Sequence, residues 1–191
     1  MRYRIDPILI LFLLLAASIC APQARADVDR YGTFFAGALT TGSWHAAVRP
    51  WEVEFAEAWM IGASVGWDRS IGTTPIRWGI EAQLSAHVGR QDHFELSVPM
   101  VLRYRAQGTS PVRSLAAGLG LSYASKVPQV EIDRNGASQR LFVHWIAEIE
   151  FGAPNQTRNT VLRLHHRSDG YGLFDGDAGA TAVVVGLRER F

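Results

Sequence analysis

The chain has 191 residues, a formal net charge of +1 and 48% hydrophobic residues, and this near-neutral charge argues against a nucleic-acid-binding protein. Its single cysteine, Cys20, leaves no disulfide framework. The length is that of one domain once an N-terminal targeting segment is set aside.

The first predicted element is a secretory signal peptide. Two arginines supply a positive start, Ile8–Ala17 is an unbroken apolar run, and Ala24–Ala26 has the small-x-small pattern of a cleavage site. The apolar run is about half of the roughly 20 residues that a membrane-spanning helix needs. We therefore expect residues 1–26 to be removed and residues 27–191 to form the mature domain.

After the signal, large apolar residues alternate with polar or small ones at a period of two, which predicts β-strands, and no helical period competes. Turn-rich segments separate the strands. The pattern predicts an all-β fold, an eight-stranded antiparallel up-and-down transmembrane β-barrel. The predicted strands are, in chain order, Gly32–Thr41, Trp51–Trp67, Ile76–Val88, Phe94–Arg105, Leu115–Tyr123, Leu141–Phe151, Asn159–Ser168 and Ala180–Phe191.

The alternation also predicts which way each side chain points. The apolar and aromatic face is expected outside, and the charged face is expected in the lumen, where charges of both signs pair across the barrel. Because the interior of an eight-stranded barrel is just filled by side chains, no channel is expected. The inward charges are Arg77, Glu81, Arg103, Arg105, Glu148, Glu150, Arg163, Arg188 and Arg190.

The connections follow from the same topology. With both termini on the periplasmic side, the links after odd-numbered strands are external, and the longest links fall among them. The predicted external segments are about Gly42–Pro50, Gly89–His93, Ala124–Gln139 and Asp169–Gly179.

Two patterns resemble known sites but have simpler interpretations. Gly62–Gly66 matches G-x-S-x-G, a hydrolase motif that needs a strand–turn–helix context, whereas here Ser64 lies inside an alternating strand on the lumen side. The histidines show no ligand spacing along the chain, so no metal site is expected. We expect His87 and His144 to form hydrogen bonds in the lumen.

The seventh strand carries the candidate chemistry. His166 and Ser168 lie on its outward parity, where lipid-facing residues are usually apolar. Two residues apart on one strand face, their side chains are neighbours, and a histidine base beside a serine hydroxyl is the minimal apparatus for acyl transfer. The alternative is that both residues lie among lipid head groups at the rim, where polar side chains are easily accommodated.

The segment Val161–Gly170, Val-Leu-Arg-Leu-His-His-Arg-Ser-Asp-Gly, resembles the C-terminal region of the PagL-type lipid A 3-O-deacylases. The likeness extends more weakly to Ile61–Ser70, Val98–Tyr104 and Leu115–Ser122, and only His-x-Ser is a specific motif. The resemblance implies an eight-stranded outer-membrane barrel with this motif on its lipid-facing side.

The resemblance also implies a mechanism. Ser168 would attack the ester at position 3 of lipid A with His166 as base, and water would release a 3-hydroxy fatty acid from the acyl-enzyme. Neither a metal nor another cofactor is needed.

The sequence departs from that family at the residue that orients the histidine. The family's glutamate lies twelve residues after the serine, where this chain has Ala180 with Thr181 beside it, and we expect neither to take the role. Asp175 and Asp177 lie in the intervening loop, and Asp177 is the candidate acid. A two-residue His–Ser dyad and an inactive protein remain alternatives.

The second departure concerns the oxyanion. The family has asparagine after the serine, whereas this chain has Asp169, whose negative charge would oppose an oxyanion. The backbone N–H of Asp169 is therefore the predicted donor.

The predicted function is an outer-membrane serine esterase that removes the 3-O-linked acyl chain from lipid A of lipopolysaccharide. The barrel is expected to be embedded in the outer membrane of a Gram-negative bacterium, with lipopolysaccharide of the outer leaflet as its partner; a homodimer is an open alternative for its assembly. Two other functions stay open: a non-catalytic structural or partner-binding barrel, and a hydrolase of another outer-leaflet acyl ester.

Overall fold

Eight antiparallel strands follow one another round a closed barrel in the computed structural model, which describes residues 28–42, 44–49, 51–175 and 178–191. Each strand pairs with its sequence neighbours, and β1 pairs with β8 to close the sheet. The predicted fold class is therefore confirmed. The strands are β1 (Val28–Thr40), β2 (Phe55–Ser70), β3 (Ile76–Gly89), β4 (His93–Arg105), β5 (Val112–Ala124), β6 (Leu141–Phe151), β7 (Arg158–Ser168) and β8 (Gly179–Arg190).

The predicted signal peptide, residues 1–26, lies outside the described residues. The largest differences in strand bounds are four residues: β1 begins at Val28 instead of Gly32, and β2 begins at Phe55 instead of Trp51. Two short helices, α1 (Trp44–Ala47) and α2 (Gln129–Asn135), lie in connections for which no helix was predicted. Both are too short to produce a visible helical period. Within the described part of the chain, no helix is long and apolar enough to cross a membrane.

The outer wall of the barrel is apolar. Phe34, Ile61, Met100 and Leu119 are 76%, 63%, 62% and 61% exposed, and the last three lie on the parity predicted to face outward. Exposed large apolar side chains occur on every strand, at 37% even for Phe151 of β6, and this makes the surface unlike that of a soluble monomer. The predicted direction of the two strand faces is thus confirmed.

The lumen is filled by an ion-pair network. Glu148 lies at its centre and accepts hydrogen bonds from Arg103 at 2.7 Å, from Arg163 Nε at 2.9 Å and from Arg188 Nη2 at 2.9 Å. All four side chains are at most 3% exposed. Because each buried charge has partners of opposite sign, the network satisfies the condition that makes buried ions tolerable.

The connections β1–β2, β3–β4, β5–β6 and β7–β8 all lie at one end of the barrel, here called the loop end, and α2 closes it. Val130 of α2 packs with Leu39 and Ala182 in a buried apolar cluster. Its neighbour Glu131 is 1% exposed and pairs with Arg167, with 2.8 Å between Oε1 and Nε. Burial raises the pKa of Glu131 to about 7, against the opposing effect of Arg167.

Candidate active site

His166 lies on the outer face of β7, between Trp145 of β6 and Thr181 of β8, which are its cross-strand partners. The imidazole and the Trp145 ring are 4.7 Å apart between centroids and tilted by 33°. Trp44 of α1 packs edge-on against Trp145 at 5.7 Å. Although its parity is outward, His166 is only 9% exposed, so it lies in a recess of the outer wall.

The ring of His166 is held by the hydroxyl of Thr181, with 2.8 Å between Nδ1 and Oγ1, and Thr181 is itself 1% exposed. When Nδ1–H donates to this hydroxyl, the lone pair lies on Nε2, which is the tautomer that a general base requires. The expectation that Thr181 would not orient the ring was therefore wrong, although Thr181 supplies no negative charge. The β7–β8 register, which pairs the two residues, was the missing information.

Ser168 shares the outward face of β7 with His166 and is half-buried. The backbone N–H of Gly170 donates to its hydroxyl at 3.4 Å. Its cross-strand neighbour is Gly179, where an added Cβ would stand 3.0 Å from the Cβ of Ser168, so glycine keeps that side of the serine open. Among the described residues, no hydrogen bond joins Ser168 to His166; such contacts commonly tighten only when substrate binds.

Asp169 organises the β7–β8 connection. Its backbone N–H donates to the carbonyl of Ala178 at 3.1 Å, and its carboxylate accepts from the N–H of Gly172 at 2.7 Å. The oxyanion role predicted for the N–H of Asp169 would therefore require its bond to Ala178 to open. The N–H of Gly170 points at the Ser168 hydroxyl and is a second candidate donor.

The third catalytic residue is not found among the described acids. Asp177 lies outside the described residues. Asp175 is exposed, and its backbone carbonyl accepts from the side chain of Gln139. In the described part of the chain, no hydrogen bond or ion pair joins the Asp175 carboxylate to His166.

The G-x-S-x-G segment lies within β2, and Ser64 is 4% exposed on the lumen side, as predicted. A Cβ at Gly62 would stand 2.6 Å from the ring of Phe35, and one at Gly66 would stand 2.7 Å from the ring of Tyr31. The two glycines make room for lumen aromatic rings and have no part in a nucleophile elbow.

The predicted lumen hydrogen bonds of two histidines are confirmed. His87 Nε2 is 3.0 Å from a carboxylate oxygen of Glu95, and His144 Nδ1 is 3.0 Å from the backbone carbonyl of His166. Strand pairing also gathers further histidines around Glu95 in a group that no sequence spacing indicated.

An apolar groove of about 430 Å³ crosses the outer wall from β3 to β6 and reaches Trp145, the residue that packs on His166. Small residues on β5 and β6 form its floor, and larger ones form its sides. Its lining includes Trp78, Met100, Leu102, Ala117, Leu119 and Trp145.

No family model matches the sequence, and no curated protein matches it. Solved structures of other proteins share the barrel, and they include the following two. The crystal structure of the outer membrane enzyme PagL is 17% identical with a TM-score of 0.59, and the match covers 83% of this chain and 98% of that one. The crystal structure of Neisserial surface protein A (NspA) is 13% identical with a TM-score of 0.53, covering 85% and 97% respectively. At these identities the likeness concerns the fold, which is that of eight-stranded outer-membrane barrels.

Proposed function

We propose that this protein is an outer-membrane esterase that removes the 3-O-linked acyl chain from lipid A of lipopolysaccharide. The observation that supports this most is that His166 and Ser168 share the outward face of β7, with the imidazole oriented by Thr181. A dyad on the outer wall meets molecules that lie in the membrane, and the external end of the strand lies at the depth of outer-leaflet esters.

In the proposed reaction, Ser168 Oγ attacks the ester carbonyl carbon while its proton passes to Nε2 of His166. The tetrahedral intermediate collapses, the C–O bond to the sugar breaks, and His166 returns the proton to the sugar oxygen. Water then attacks the acyl-enzyme while its proton passes to His166. The bond between the acyl carbon and Ser168 Oγ breaks, His166 returns the proton to Oγ, and the 3-hydroxy fatty acid leaves. The N–H of Gly170 lies beside the Ser168 hydroxyl, and we propose that it turns to donate to the developing oxyanion.

The surroundings of the dyad favour this chemistry. The Trp145 ring lies 4.7 Å from the imidazole, so the imidazolium formed during proton transfer gains a cation–π contact. The apolar groove that reaches Trp145 has the shape and polarity to hold a hydrocarbon chain. A Thr181 hydroxyl in place of a carboxylate stabilises the imidazolium less, and we expect a slower enzyme than one with a full triad.

The test is mass spectrometry of lipid A from a Gram-negative host that expresses the protein. We expect loss of one 3-hydroxyacyl chain from position 3 with the wild type and with Ser64→Ala, a matched lumen serine. Ser168→Ala and His166→Asn should leave lipid A intact, while heat-modifiable migration on gels verifies that each barrel folds.

Unchanged lipid A from folded wild-type protein would contradict the proposal and favour a non-catalytic barrel. Loss of a chain from another position would show a hydrolase of a different acyl ester.

A further inference from the structure

Glu95 differs from the other carboxylates of the lumen. It is 1% exposed, yet no arginine or lysine pairs with it among the residues that the structure describes. Its charged or chargeable partners are His87 and His165, each at 3.0 Å. A buried carboxylate needs a compensating positive charge, and here it must come from protonated histidines or from a bound cation.

Two histidines and this carboxylate form a compact group on one hairpin. His87 of β3 and His93 of β4 are cross-strand partners, with their rings stacked at 4.3 Å between centroids and 9° between planes. Glu95 lies two residues beyond His93 on the same inward face. One ligand atom from each of the three lies within 4.8 Å of the others.

An unpartnered nitrogen points to a missing ligand. His93 is 6% exposed, and its Nε2 has no hydrogen-bond partner within the described structure. Leaving such an atom buried costs about 1–3 kcal/mol. A small cavity with room for one water-sized group adjoins it, and His87 and Glu95 also line this cavity.

The neighbouring residues leave one oxygen of Glu95 available to a ligand. Ser97 and Ser122 donate to Oε1 at 2.9 and 2.7 Å, and within the described structure Oε2 is left with only His87. The amide nitrogen of Gln91 lies 2.9 Å from Nδ1 of His87, while the amide oxygen of Gln91 has no hydrogen-bond partner in the described part of the chain. Turning this amide about its Cγ–Cδ bond would let the oxygen accept Nδ1–H, and the Nε2 lone pair of His87 would then face Oε2.

The distances suit a transition metal. Two ligand atoms of a tetrahedral zinc ion lie about 3.3 Å apart, and Nε2 of His87 and Oε2 of Glu95 are 3.0 Å apart. Imidazole and carboxylate ligands favour zinc and similar ions over calcium or magnesium. We propose that the loop end of the lumen binds one divalent transition-metal ion of the zinc class through His87, His93 and Glu95, with the ion in this cavity.

This site does not depend on the proposed esterase activity. The ion neutralises Glu95 and ties β3 to β4 beneath α2, which is a structural role. The linear spacing shows no metal motif because His87 and the other two ligands lie on different strands and meet only through register.

The test uses the full chain, folded in detergent micelles and stripped with a chelator. Titration with zinc chloride should show one ion bound per barrel and a rise in unfolding temperature. His93→Asn should weaken binding by at least about 100-fold and Gln91→Ala by about 10-fold. His45→Asn, a change at an exposed histidine of α1, should leave binding unchanged, as should Ser168→Ala.

No saturable zinc binding by the wild type would overturn the proposal. Zinc binding that survives His93→Asn but is lost in His144→Asn would also overturn it, because that result places the ion in the second group of possible ligands, Glu95, His144 and His165. Because Glu95→Gln risks misfolding, the wild type is compared with His93→Asn. Adding zinc should raise the unfolding temperature of the wild type but not that of His93→Asn.

Discussion

The Thr181→Val substitution tests whether the hydroxyl orients His166, the proposed general base. It removes the hydrogen bond to Nδ1 of His166 with little change of volume. The bond is 2.8 Å long between residues that are 1% and 9% exposed. Leaving one partner of a buried bond unsatisfied costs about 1–3 kcal/mol, which corresponds to a fall in kcat/KM of about 5- to 150-fold.

The assay is the initial rate of fatty-acid release from lipid A in mixed micelles by purified barrels. Thr181→Ser keeps the hydroxyl and should retain most of the activity, whereas Thr160→Val, an exposed change on the outer face of β7, should have no effect. The reasoning is refuted if Thr181→Val folds and matches the wild-type rate, or if Thr181→Ser falls as far as Thr181→Val.

Three further predictions concern the lumen, the loop end and the aromatic wall. Glu148→Gln removes the negative charge that its buried arginine partners share, so it should lower the free energy of unfolding by about 3–5 kcal/mol in urea titrations. A change below about 1 kcal/mol would contradict a stabilising role for these ion pairs. The pKa of Glu131 is raised from 4.5 to about 7 in the folded state, so between these pH values the folded state keeps a proton that the unfolded state has released. The protection of the α2 amides from hydrogen exchange should therefore fall as the pH rises from about 5 to about 8. Glu131→Gln should remove that pH dependence, and equal dependence in the variant would assign it to another group. Trp145→Leu should lower kcat by about 2- to 30-fold by removing the ring beside His166, and an unchanged kcat would exclude the cation–π contribution.

The strands and their two faces were predictable because a strand has a side-chain period of two, which is readable in one sequence. Arg103 and Glu148 were assigned to the lumen, and Met100 to the apolar outer wall, on alternation alone. The short helix α2 was not predictable in this way. It begins after Pro128 and ends at Gly136, which adopts φ 77°, and it is stabilised mainly by packing Val130 and Glu131 into the barrel end.

The sequence by itself determined the fold class, the outward parity of His166 and Ser168, and the inward parity of Ser64. The register between neighbouring strands was known only from the closed barrel. It pairs residues that are far apart in the chain, and a single sequence does not show which residues pair. Register placed Thr181 against the ring of His166, and it placed His87 beside His93. The orienting hydroxyl and the lumen histidine group therefore came from tertiary structure, whereas the face on which the candidate dyad lies was already set by alternation.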